Sequence, residues 1–251
     1  MLNIKHINPG RPNFILLLFL TILPFGYLSS QNVGSPVSSD NVRLELDKLL
    51  GADQRLISGD FYDGAPLGSV NGHPYFFDEM WNEGSVVIGS IKYEDLILKF
   101  DIAANSVVLK TYALKDNVIQ LCLKKEKISE FTMNKVKFTR FPDKGINNKI
   151  IFAQLCEEGS VDFLLVRSKE LVLSEGGTTD FKYKEYYHNY LRYNGQILKF
   201  KSKKTLFNLF PEYKTELKRY LSQHNLSTKR KETTNRAKLV NYCNSLLSSP
   251  K

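Results

Sequence analysis

The chain has 251 residues, 42% of them hydrophobic, and its 35 Lys/Arg against 26 Asp/Glu give a net charge of +9. That is enough apolar sequence to fill a core, which excludes a disordered polar chain. The three cysteines are odd in number and form no C-x-x-C pair, which argues against a disulfide-stapled scaffold or a thioredoxin-type centre.

The first element is a leader. Residues 1–13 carry Lys5 and Arg11 and no acid, Phe14 to Phe25 is almost unbroken apolar sequence, and Gly26, Ser29 and Ser30 follow. A positive start, a short apolar run and a small residue describe a secretory signal peptide. The run is interrupted by Pro24 and falls short of the roughly 18 apolar residues of a membrane span. Cleavage is expected between Ser30 and Gln31, at the end of a 1–30 signal peptide, giving a periplasmic or secreted protein with no transmembrane span. Residues 31–40, rich in Ser, Gly and Asn, read as a flexible leader, and 41–251 as a single α+β domain.

Asp40 caps a short helix in which Val42, Leu46, Leu49 and Leu50 recur at helical spacing, and Gly51 stops it. From Leu56 the period changes to two, and residues 56–203 read as mainly β. In "LILKFDIAANSVVLKTY" Leu96, Leu98, Phe100 and Ile102 share one face. Val107, Leu109 and Thr111 share it again after an Ala-Ala-Asn-Ser turn, which makes a hairpin. "VIQLCLKK", "KVKFTRF", "KIIFAQLCEEG" and "VDFLLVRSKELVLSE" continue the series. In "YYHNYLRYNGQILKFK" the Asn194-Gly195 pair predicts a two-residue type I′ turn. That turn pairs Tyr193 with Gln196, Leu191 with Leu198 and Asn189 with Phe200. Tyr187, Leu191, Leu198 and Phe200 then face the core, and His188, Tyr190, Arg192, Ile197, Lys199 and Lys201 face outward.

Residues 205–247 return to helical spacing. Pro211 opens a helix with Tyr213, Leu217, Tyr220 and Leu221 on one stripe, and a last helix carries Leu239, Val240, Cys243, Leu246 and Leu247. The fold class expected is α+β: a curved antiparallel meander with a short N-terminal helix and a C-terminal pair of amphipathic helices as its cover. Residues 201–251 hold twelve Lys/Arg and three Glu, whereas 31–200 hold 21 cations and 23 anions. The basicity is a property of the tail, and its cations, Arg236 among them, are expected on the outer surface. In an exported protein such a tail suits its own acidic body or an anionic envelope component, and no nucleic acid is expected.

Chemistry is sparse. There is no G-x-S-x-G, no phosphate-binding glycine loop and no dinucleotide fingerprint. His73, His188 and His224 stand far apart without metal-ligand spacing, so no metal and no cofactor is expected. The cysteines read as small buried hydrophobes, with a Cys122–Cys156 pair as the alternative. The densest polar-aromatic stretch is residues 58–84, "SGDFYDGAPLGSVNGHPYFFDEMWNEG". From it Asp60, Tyr62, Asp63 and Trp81 are taken as ligand-contacting residues, and no residue is assigned a catalytic role. Paired carboxylates beside stacking aromatics are also what a glycoside hydrolase uses.

The run "WNEGSVVIGSIKYEDLILKFD", Trp81 to Asp101, resembles a pattern of exported proteins of Bacteroidota, as do the later "YNG", "KKTL" and "YCNSL". That group has no established activity, so the resemblance implies export and a single-unit architecture and carries over no catalytic residue. The function expected is that of a non-enzymatic envelope or secreted protein that binds a partner. The alternatives are a carrier of an apolar ligand (a lipid or lipidated protein) held between sheet and helices, and a hydrolase using residues 58–84.

Overall fold

The computed structural model describes residues 54–64, 70–112, 117–141, 150–174, 181–229 and 231–248. All of them belong to the unit Ser39–Lys251. The expected signal peptide, leader and Asp40-capped helix lie outside the described residues.

A one-turn helix, α1 (Gln54–Ile57), precedes a twelve-stranded sheet. Its strands are β1 (Asp60–Phe61), β2 (Val70–Asn71), β3 (Asn82–Ile88), β4 (Ile91–Asp101), β5 (Ser106–Tyr112) and β6 (Val118–Cys122), then β7 (Ile128–Met133), β8 (Val136–Phe141), β9 (Ile151–Glu157), β10 (Val161–Leu173), β11 (Phe181–Tyr193) and β12 (Gln196–Lys199). The spatial order is β1-β6-β5-β4-β3-β7-β8-β9-β10-β11-β12, every neighbour antiparallel, with β2 added parallel to β11. It is two meanders: β3 to β6 run one way, β7 to β12 the other, and the β3–β7 ladder joins them.

The connection between the meanders shows how the sheet is shaped. Strands β6 and β7 lie four positions apart in the ladder, about 19 Å in a flat sheet. Yet residues 123–127 link them, and Lys127 N–H turns back onto the Lys124 carbonyl at 2.9 Å. Phe100 on β4 and Phe152 on β9, also four positions apart, have ring centroids 6.2 Å apart. Asn105, in the β4–β5 turn, donates to the Ile150 carbonyl at 2.6 Å and accepts from Phe152 N–H at 3.1 Å. These contacts bend β3–β9 around one core, in which Phe100, Phe131, Phe138 and Phe152 interlock beneath Leu98, Val107 and Leu109.

Three helices follow: α2 (Lys203–Leu209), capped by the Ser202 hydroxyl, then a 3₁₀ turn (Pro211–Tyr213), α3 (Lys214–Gln223) and α4 (Thr233–Ser248). Their apolar stripes (Leu206, Leu217, Leu221, Leu239, Val240 and Cys243) pack against Val161, Phe163, Leu191 and Phe200 of the sheet. Asn194 and Gly195 both sit at positive φ, 47° and 74°, and the β11–β12 register is as the turn chemistry requires, with Leu191 opposite Leu198 and Tyr193 opposite Gln196.

Several expectations need correction. Tyr190, read as outward, is buried against Phe141 with centroids 4.7 Å apart. Its face is apolar too, because Ala153, Leu155, Leu164 and Val166 make a third cluster there. Leu198 is only half-buried, since β12 is a short edge strand. Arg236, read among the outer cations, is 1% exposed. All three cysteines are free thiols and the Cys122–Cys156 alternative is not realised; of the three, read as buried hydrophobes, Cys243 is buried while Cys122 and Cys156 are only half-buried.

Candidate functional site

The polar-aromatic stretch is positioned by β4. Tyr75 forms a bridge to Asp101, with Phe76 N–H on the Phe100 carbonyl at 2.8 Å and Ile102 N–H on the Pro74 carbonyl at 3.0 Å. Residues 74–76 therefore extend the position of β3 beside the end of β4. Paired residues share a face, so Tyr75 stands with Asp101 on the face opposite the Phe100 core. Phe77 then takes a positive φ of 62°, Asp78 Oδ1 accepts the Met80 N–H at 2.9 Å, and the turn returns Trp81 to the same face.

The result is a cluster built around two charges. The Lys99 ammonium lies 4.3 Å from the Tyr75 ring centroid and 4.5 Å from that of Trp81, and the Lys110 ammonium is 5.8 Å from the Trp81 centroid. The Tyr62 hydroxyl donates to Asp101 Oδ2 at 2.8 Å and lies 3.3 Å from the Tyr75 hydroxyl. Asp101 Oδ1 accepts the backbone N–H groups of Ala103 and Ala104 at 2.9 and 2.8 Å. From β10, Lys169 caps the open edge of the 73–76 segment, donating to the carbonyls of His73 at 2.8 Å and Tyr75 at 2.7 Å.

Burial shapes the electrostatics. It holds Lys99 below the ordinary lysine range, against the opposing pull of Glu79 and Asp78. Lys169 is lowered by burial in the same way, with Glu185 and Asp101 opposing. His73 is lowered by burial and by the charge of Lys169. The Tyr62 phenol is pushed up by burial, then by its bonds to Tyr75 and Asp101, so it stays protonated and acts as a donor. Asp101 is already engaged by three donors, and Lys99 is enclosed by two rings. The charged groups are thus spent on fixing the loop to the sheet.

Of the residues singled out by sequence, the structure brings Tyr62 and Trp81 into one cluster, through Tyr75, Lys99 and Asp101. Asp60 and Asp63 are exposed at the sheet edge. Asp60 stands opposite Cys122 in the β1–β6 ladder, and both carboxylates raise the Cys122 thiol only in support of its burial. Sequence reasoning missed Lys99, Asp101 and Lys169. In an alternating strand Lys99 and Asp101 occupy outward positions that read as solvated, and Lys169 is about 70 residues away in sequence, which only tertiary structure bridges. One signal was present: Asp101 before Ala-Ala-Asn is an Asx-turn pattern.

Several large apolar side chains on this part of the sheet are exposed, among the acids Asp78, Glu79 and Glu83. Met80 is 67% exposed, Phe77 and Tyr112 each 55% and Val118 50%. Tyr112 is two residues from Lys110 on the same face of β5, and Val118 stands directly opposite it on β6. Phe61, also exposed, adjoins Tyr62 at the edge. The chain matches no protein-family model, and no curated protein and no solved structure matches it.

Proposed function

We propose that the protein is an exported binding protein that acts by contact and not by catalysis, meeting an apolar partner with the surface around Trp81. In this reading the curved sheet is a rigid platform, with a short helix following the leader. The observation that carries it is the exposure of large apolar side chains on the side of the sheet that bears Trp81: Met80 next to it in the chain, and Tyr112 and Val118 further along on β5 and β6. Exposed apolar surface of this extent is the usual mark of an interaction site.

The packing weighs against the alternatives. A carrier needs room between sheet and helices. At the centre of that interface the two layers meet directly, with Leu239, Val240 and Cys243 in one cluster with Val161 and Leu191 and the Tyr193 and Phe210 rings 5.1 Å apart. The space between β8–β9 and the start of the last helix is an open surface depression lined by Gln154, Cys156, Thr233 and Ala237. A hydrolase needs two carboxylates set across a cleft, whereas Asp60, Asp63, Asp78, Glu79 and Glu83 are all exposed, and Asp101 is held by three donors.

Trp81 is the chain's single tryptophan, so its emission reports on this surface alone. Titration with micelles of a zwitterionic short-chain phospholipid should give a saturable blue shift. The variant Met80→Asp/Tyr112→Asp should lose it while keeping its circular dichroism. An emission spectrum indifferent to acyl chains, or equal shifts in wild type and variant, would sink the reading.

A further inference from the structure

The two basic runs of the tail, "KFKSKK" (Lys199–Lys204) and "STKRKE" (Ser227–Glu232), are more than twenty residues apart in sequence. The fold sets them side by side. The guanidinium of Arg236, itself buried, donates to the carbonyls of Phe200, Lys201 (3.0 Å), Thr228 (2.8 Å) and Lys229 (3.2 Å). One side chain thus bonds the backbones of both runs, and Lys201 and Lys229 are held as neighbours. Lys199, Lys201, Lys203, Lys204, Lys229 and Lys231 are all exposed, and among the described residues none of them is paired with a carboxylate. Glu232 is the single acid within the two runs. An open depression of about 420 Å³ is cut into this corner, lined by His188, Asn189, Tyr190, Lys199, Phe200 and Lys201.

We infer that this basic corner is a docking site for a linear acidic polysaccharide, separate from the surface around Trp81. Like charges gathered without acids repel one another, and an anionic partner converts that repulsion into attraction. The neighbourhood selects the class of partner. A membrane surface wants apolar side chains beside the cations. The exposed large apolar residues lie on other elements: β1, β5, β6, the 77–80 loop and the end of the β10–β11 hairpin. A single-stranded nucleic acid wants exposed rings on which successive bases stack, and a duplex is an outcome of the test below. Of the three rings lining the depression, Tyr190 and Phe200 are 7% and 2% exposed, which leaves a single imidazole, His188, and no platform for successive bases. What the corner offers is exposed ammonium groups from two runs, Lys199 and Lys201 of them lining an open depression, which suits the sulfate or carboxylate groups of a flexible sugar chain.

The test uses the full chain and three probes: heparin, phosphatidylglycerol vesicles and duplex DNA. Heparin should bind most tightly, with an affinity that falls steeply as salt rises, as displacement of condensed counterions requires. Replacing Lys199, Lys201, Lys229 and Lys231 by Gln should weaken heparin binding by about tenfold or more and flatten the salt dependence. A matched variant with Lys124, Lys135, Lys184 and Lys218 changed to Gln removes the same charge elsewhere and should retain most of the affinity. All eight lysines are exposed, so circular dichroism should show both variants folded. Equal losses in the two variants would reduce the effect to net charge and overturn the assignment. So would absence of heparin binding at low salt, or vesicles or DNA binding as tightly as heparin.

Discussion

Arg236 is the residue on which the C-terminal cover turns. Its guanidinium is held by four backbone carbonyls and by the face of Phe200, 4.7 Å away. Each carbonyl left without a donor in a buried site costs about 1–3 kcal/mol. Arg236→Met should therefore lower stability by at least about 3 kcal/mol in a urea titration. Arg236→Lys should recover little, because an ammonium cannot span the same fork of acceptors. Exposed Arg219→Ala should stay within about 0.5 kcal/mol. The thiols give a second test at this scale. Burial pushes Cys156 and Cys243 up to about 12. At pH 8 each then holds roughly a thousandfold less thiolate than an ordinary thiol, and thiolate is the reactive form. Both should resist iodoacetamide in the folded protein and react once urea unfolds it. Rapid native labelling of either would contradict the packing around it.

At the scale of elements, the two meanders hold together where β3 meets β7, and Gly84 permits that meeting. A Cβ at Gly84 would lie 2.1 Å from the Thr132 carbonyl oxygen on β7, beside the bulge between Gly84 and Val86. Backbone leaves no room to adjust, so Gly84→Ala should cost about 1–3 kcal/mol, as overpacking does, or more if the ladder parts. Chemical denaturation measures it; a neutral result would show that the strands can shift register. The β11–β12 hairpin offers a contrast within one short segment. Phe200, 2% exposed between Phe163 and Arg236, should lose about 3–5 kcal/mol on truncation to Ala. Its exposed neighbour Lys199 should lose no more than about 0.5 kcal/mol on the same change.

For the whole molecule the question is what holds the basic tail in place. Leu206, Leu217, Leu239, Val240 and Cys243 have no exposed surface. Each buried apolar side chain contributes roughly 1.5–3 kcal/mol, whereas an exposed ion pair contributes about 0–1. Apolar docking therefore dominates. Removing residues 205–251 should uncover Val161, Phe163, Leu191 and Phe200 and produce aggregates in size-exclusion chromatography with light scattering. A monomeric, fully folded truncation would make the helices a separate module. Changing exposed Lys229 and Lys231 to Gln should instead leave the melting temperature within about 2 °C, since surface changes are small.

Much of this architecture was legible because it follows from local rules. Alternation at Leu96–Ile102 and Val107–Thr111 specified a hairpin with one buried face, since a strand's side chains have a period of two. Asn194-Gly195 specified a turn and with it a register, because both residues tolerate positive φ. The stripes through Leu217 and Leu239 specified helices with a partner to cover. What local rules do not carry is which strands meet after a crossover, and how many faces of a sheet are covered. The β3–β7 pairing joins residues 40 or more apart in sequence, and the third cluster buries Tyr190 on the face that looked outward. The candidate site divides in the same way. Tyr62 and Trp81 stood out as aromatics among acids. Lys99, Asp101 and Lys169 became part of their cluster only when the 73–76 segment was laid beside β4 and β10. Likewise Arg236 looks like any other cation of the tail. Only the fold, by surrounding it with carbonyls from two distant runs, turns it into the buried pin that draws the basic corner together.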